Sequence, residues 1–365
     1  MTYFIFLIIL ICLEYFVLSF CISNNETRDN IFLLLSFVQC VLFLGLRSNI
    51  IPDTETYFNI YRIIGRQRLD MIFNVVDFEK GYILFNRLIY NIFADNRIVF
   101  FSSCAIFSCI PVFFLIKKLN TNKLLPVLIW CIFNGLNTAL INIRQSMAIG
   151  IILLAYYAIL NNKKLLSLIL VILASFFHFS SIFLLIIFPL YYISIKIKLS
   201  IRNIIIFLLI FVIIFIFSDY MFSFLLENTS TSYNLYLDFY KKNKIGSCIY
   251  LILNLIIFFS SWAIYIQNKN LLSNKFIKEK FYLYLLLIGI LFYAISIKNG
   301  SNRMALYFVS VYIFIIPECF KVISNDKNIK AILLIMLFIC FGMVISGMYF
   351  LPSSFAIGKY QTIFD

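Results

Sequence analysis

Charge is what this chain has least of. Asp, Glu, Lys and Arg make up only 13% of its 365 residues, about half the share of an ordinary globular protein. Hydrophobic residues make up 63%, with 43 Phe and 23 Tyr, and mean hydropathy is +1.00. No soluble domain could bury so much apolar side chain, so the composition excludes one and requires a polytopic membrane protein. There is a single histidine, His178, and no HExxH motif, which leaves no zinc site to be expected. No GxGxxG or GxxxxGK[ST] loop is present, so no nucleotide and no other cofactor is expected. The nine cysteines form no CxxC pair and sit mostly in apolar runs, as small hydrophobes do. The first residues lack a basic stretch and a small-residue cleavage site, which reads as a retained first span.

What charge there is leans positive: 30 Lys and Arg stand against 16 Asp and Glu, a net +14. In a membrane chain this excess follows from the positive-inside rule and anionic lipid, not from nucleic acid. Apolar runs predict spans at about Tyr3–Cys21, Ile31–Leu46, Ile98–Ile116, Leu124–Ile141, Arg144–Leu160, Leu165–Phe177, Ser180–Ile193, Asn203–Phe217, Ser247–Ile266, Phe281–Ile297, Met304–Pro317 and Ala331–Phe350. The expected fold is an all-α polytopic bundle of about 10–12 transmembrane segments in a single membrane domain over residues 1–365, with both termini outside. Compact basic loops at Lys117-Lys118, Lys163-Lys164, Lys196–Arg202, Lys269–Lys280 and Lys321–Lys330 mark the cytoplasmic side. Two longer outer loops are expected, 47–97 and 218–246. In the first, Tyr57, Ile60, Tyr61 and Ile64, and then Tyr82, Phe85, Leu88, Ile89 and Ile92, follow the spacing of amphipathic helices. The short runs on either side of His178 suggest a turn in a broken or re-entrant pair.

Sides assigned from the basic loops alone send Arg47, Asp53, Glu79, Arg144, His178 and Arg303 to the opposite, outer face. Charge at a membrane edge is costly, and its convergence on one face points to a site. Arginine offers a planar fork of donors to phosphate, histidine can take and return a proton near neutral pH, and the many aromatics can pack on sugar rings. A lipid-linked substrate bearing phosphate fits this set. Glu14, inside the first span, reads as a carboxyl satisfied by a neighbouring helix.

Four motifs carry a resemblance: Arg47-x5-Asp53-x3-Tyr57, Glu79-Lys80-Gly81-Tyr82, Arg144-Gln145-Ser146-Met147-Ala148 followed by Phe177-His178-Phe179-Ser180, and Arg303-x3-Tyr307-Phe308. In this order they resemble the EpsG-type branch of bacterial Wzy-class polysaccharide polymerases, which build O-antigen, capsule or exopolysaccharide. Pro52 stands where that family often has a glycine. The resemblance implies an inverting-type glycosyl transfer on the outer face of the bacterial inner membrane. Glycan would move from polyprenyl diphosphate to the non-reducing end of a lipid-linked repeat unit. It further implies diphosphate binding by Arg144, Arg303 and Arg47, with Arg47 alternatively orienting Asp53. His178 is then the first candidate base, ahead of Asp53 and Glu79, and Tyr57, Gln145 and Tyr307 contact substrate. Lipid-linked oligosaccharide and membrane lipid are the expected partners, and the family suggests a separate chain-length regulator. A flippase for the same oligosaccharide, an O-antigen ligase and a membrane acyltransferase are the rival readings. A flippase would hold its charges near the midplane between repeats. The acyltransferase would show a histidine with a nearby Asp, or an Asn with a distant histidine, whereas His178 has only Phe and Ser beside it.

Overall fold

The computed structural model describes residues 2–133, 135–227, 244–267, 276–299, 302–322, 342–344 and 360–364. They form two compact units: one comprises Met1–Leu185, Tyr312–Pro317 and Met348–Asp365, the other Ile186–Val311 and Glu318–Gly347. Among the described residues, nine helices are long and apolar enough to cross a membrane, and a bent helix pair raises the number to ten. The chain is a helical, multi-pass membrane protein. Most of the expected span 331–350, the middle of the second outer loop (228–243) and the loop 268–275 lie outside the described residues.

In the first unit, α1 (Thr2–Cys21) and α2 (Asn25–Gly45) form a hairpin. The second helix starts earlier than its apolar run because Asn24 caps it, accepting from the Glu26 and Thr27 amides, and Glu26 suits the positive helix start. Gln39 donates to Glu14 Oε1 across the hairpin, so one oxygen of the half-buried carboxyl has a partner on the neighbouring helix. Residues 47–97, expected as an outer loop, contain α3 (Thr54–Arg66), α4 (Leu69–Val75) and α5 (Lys80–Phe93). Their small core is Ile64, Ile72 and Ile83, with Ile60, Val76 and Phe78 packed on it. On α5 the expected apolar stripe is split between two faces. Tyr82, Ile83, Asn86 and Ile89 are buried, while Leu88 and Ile92 are turned outward with Leu84.

Behind the loop run α6 (Arg97–Lys118), the bent pair α7 (Leu124–Ile132) and α8 (Gly135–Ile141), α9 (Ile143–Leu160) and α10 (Lys164–Ser175). The central helix is α9: 83% of its span is buried, against 17% for α1. Small residues let it sit close to α6. A Cβ on Gly150 would lie 3.1 Å from the Ser108 carbonyl, and the Ser108 and Ser146 hydroxyls meet at 2.9 Å. The second unit holds α11 (Ile187–Lys196), α12 (Ile201–Glu227), α13 (Lys244–Gln267), α14 (Phe276–Asn299) and α15 (Arg303–Val309); α16 (Tyr312–Val322) follows.

Arg47 follows α2 and is 1% exposed. Among the described residues it pairs with no carboxylate. Its guanidinium donates to the carbonyls of Leu44 (2.6 Å), Ala139 (3.1 Å) and Leu140 (2.7 Å) and lies over the Phe101 ring. One cation thus closes the last turns of both α2 and α8, where free carbonyls gather negative charge. Burial pushes its pKa down to about 10, still protonated at neutral pH. Residues 360–364 lie against the same point. Tyr360 stacks on Phe43 at 4.0 Å and donates to the Phe43 carbonyl at 2.6 Å. The Ser48 amide donates to Gln361 and the Ile363 amide to Leu46. Tyr360 also meets Tyr3 edge to face, with ring centroids 5.9 Å apart. Replacing Arg47 with Met leaves three carbonyls unsatisfied. We expect a loss of about 2–4 kcal/mol, read as a lower melting temperature in detergent, with Arg47→Lys in between because an ammonium lacks the fork.

Candidate functional site

Glu79 precedes α5 and does not cap it with its side chain. Its carboxylate reaches across the unit instead. Oε2 accepts from Arg144 Nη1 at 2.5 Å, while Oε1 takes the Phe179 amide at 2.9 Å and lies 3.1 Å from His178 Nδ1. Arg144 is the second residue of α9. His178 sits in the break between α10 and a 3-10 turn over Phe179–Ile186, as the short apolar runs suggest. Each group is held from behind. Arg144 lies 3.8 Å above the Phe78 ring and donates to the Tyr57 hydroxyl. The His178 amide donates to the Ala174 carbonyl at 3.0 Å.

Gly81 explains how Glu79 reaches that far. A Cβ there would lie 2.7 Å from both the Cβ and the carbonyl oxygen of Phe176. The first turn of α5 therefore presses on the end of α10, and the Tyr82 amide donates to the Phe176 carbonyl at 3.1 Å. The glycine in the Glu-Lys-Gly-Tyr motif is what lets the carboxylate and the imidazole meet.

Burial alone would raise the Glu79 carboxyl. The His178 hydrogen bond, the Arg144 charge and the Phe179 amide outweigh it and hold the pKa at about 2. At neutral pH Glu79 is a fixed anion and a poor base. Because Oε1 is an acceptor only, Nδ1 of His178 is the protonated nitrogen of the neutral ring, and Nε2 carries the lone pair.

The other expected residues fall elsewhere. Arg47 is spent on backbone carbonyls. Asp53 is exposed at the start of α3, with a left-handed backbone (φ 61°) and no side-chain capping bond; such strain gathers at functional sites. Gln145 is buried in α9 beside Arg144. Arg303 and Tyr307 belong to the second unit, Arg303 opening α15 and Tyr307 buried one turn later. Sequence reasoning gave no role to Phe78, to the Phe179 amide or to Gly81. Only Gly81 left a trace, in its motif.

The EpsG family model matches residues 30–362. The chain belongs to the EpsG family. EpsG is a Wzy-like polysaccharide polymerase family, and membership supports a polysaccharide polymerase-type function. No curated protein and no solved structure matches the chain.

The depressed Glu79 pKa has a direct consequence in this EpsG-family chain. The folded state favours the anion, so the stabilisation is complete above the ordinary carboxyl value and is lost as pH falls through about 2. Discounted for partial exposure, it amounts to about 2 kcal/mol. Between about pH 5 and about pH 2 the wild-type melting temperature in detergent should fall further than that of Glu79→Gln.

Proposed function

We propose that the Arg144–Glu79–His178 network is the catalytic centre of a repeat-unit polymerase on the outer face of the bacterial inner membrane. The donor is a glycan on polyprenyl diphosphate, and the acceptor is the non-reducing-end hydroxyl of a second lipid-linked repeat unit. One observation carries the reading: a histidine, an anion held near pKa 2 and an arginine are locked together at the mouths of three helices.

In this mechanism the acceptor oxygen attacks the anomeric carbon and the bond to diphosphate breaks. The bonding pair leaves on the diphosphate oxygen. Nε2 of His178 takes the hydroxyl proton, and Glu79 stabilises the imidazolium that forms, as the carboxylate of a Ser-His-Asp triad does. Arg144 offers its remaining donors to the leaving diphosphate, where charge develops. Glu79 is thus a positioning residue. Asp53, exposed and strained, is the second candidate base. The role of Arg303 as a further diphosphate cation rests on its sequence motif, and a chain-length regulator rests on the family alone. A flippase would have no use for a histidine polarised in this way.

A strain lacking the protein, complemented with wild type, Arg144→Ala, His178→Ala or Glu79→Gln at matched membrane levels, tests the proposal on a gel of surface glycan. Wild type should restore a ladder. Arg144→Ala and His178→Ala should lower polymerisation by about 10²-fold or more, leaving single repeat units on the acceptor. Full ladders from all three variants would sink the catalytic assignment. Absence of any surface glycan without the protein, with repeat units accumulating inside, would favour the flippase.

A further inference from the structure

Three rings meet beside the ion-pair network. The centroids of Tyr57, Phe78 and Tyr82 lie 6.0, 6.2 and 5.8 Å apart pairwise, and Phe78 carries Arg144 on its face. Tyr57 and Phe78 are partly exposed, while Tyr82 is 1% exposed. Some of the polar atoms around these rings have no hydrogen-bond partner in the fold. Among the described residues, Tyr82 Oη, Asn86 Oδ1 and Thr54 Oγ1 are buried without a hydrogen-bond partner, and so is Arg144 Nε. Thr54 lies one turn before Tyr57 on α3, and Asn86 one turn after Tyr82 on α5. Asn86 spends its amide nitrogen on the Tyr82 carbonyl at 2.7 Å, so what remains is its acceptor. Buried polar groups are nearly always satisfied. Several left open on adjoining turns, next to a candidate catalytic centre, mark a place where a ligand supplies the partners.

We propose that this nest is a subsite for a neutral sugar ring of the lipid-linked substrate, with the Tyr82 hydroxyl and the Asn86 carbonyl exchanging hydrogen bonds with its hydroxyl groups. The proposal rests on the polymerase reading and adds specificity residues to it. The mixture of open atoms decides the ligand class. A diphosphate oxygen only accepts, so Asn86 Oδ1 would repel it. A sugar hydroxyl both donates and accepts, and so can answer Asn86 Oδ1, Tyr82 Oη and Thr54 Oγ1 alike. The partly exposed Tyr57 ring provides an apolar face for the carbon side of the sugar.

Tyr82→Phe is the test, with Thr54→Val as a second variant. Each removes a hydroxyl that the fold does not pair, at nearly constant shape. A purely structural role predicts an unchanged or higher melting temperature and full activity. We expect the melting temperature to hold while polymerisation of extracted lipid-linked repeat units in proteoliposomes falls about tenfold or more, mainly through a higher KM. Inhibition by added sugar-free polyprenyl diphosphate should match wild type. Full activity in both variants would overturn the subsite. Weaker inhibition by polyprenyl diphosphate in Tyr82→Phe would also overturn it, by assigning the hydroxyl to the diphosphate. If wild type itself extends no repeat units, the polymerase reading fails first, and that is seen before the variants are compared.

Discussion

The Glu79 carboxylate binds together three stretches that are far apart in the chain. It meets the first turn of α9 through Arg144 and the end of α10 through His178 and the Phe179 amide. A charge pair in a poorly hydrated place is costly unless its geometry is good and its spare lone pairs are filled. Here both carboxylate oxygens are engaged and Arg144 rests on an aromatic face. This favours a fixed arrangement over a loose one, and the segment from α3 to α5 must fold around it. Helix α5 cannot slide without losing either the Gly81–Phe176 contact or the ion pair.

A second theme is how helix ends are closed near a membrane, where a bare carbonyl has little water to turn to. Cations do the work repeatedly. Arg47 serves α2 and α8. Arg87 donates to the Ile64, Gly65 and Gln67 carbonyls at the end of α3. Lys123 reaches the carbonyls of Ile116 and Lys117 at the end of α6. Part of the positive excess is therefore spent inside the fold, where it helps to fix helices and does not mark a membrane side.

Much of the layout was legible in the sequence. Long apolar runs and compact basic loops are strong signals, and they draw Glu79, Arg144 and His178 into one group of candidates, three side chains that meet in the structure. The pairing was not legible. Asp53 and Glu79 look alike as letters, and only the close approach at Gly81 selects Glu79 for the histidine. Arg47 was misleading for a related reason. Its partners are backbone carbonyls, which no residue type announces, so an arginine that closes helices reads like one that awaits phosphate. The packed side of α5 was not legible because the helix has apolar residues on two faces, and periodicity cannot say which one meets the core.

Residues 360–364 raise a matter of timing. Tyr360 and the Phe43 carbonyl it grips are 317 positions apart, and every span between them is made before they can meet. Contacts of such separation are late to form. During synthesis the strand-like join of 46–48 with 361–363 is open, and Arg47 must hold α2 to α8 without it. The join beside Arg47 is thus completed from the far end of the chain, once residue 360 has been made.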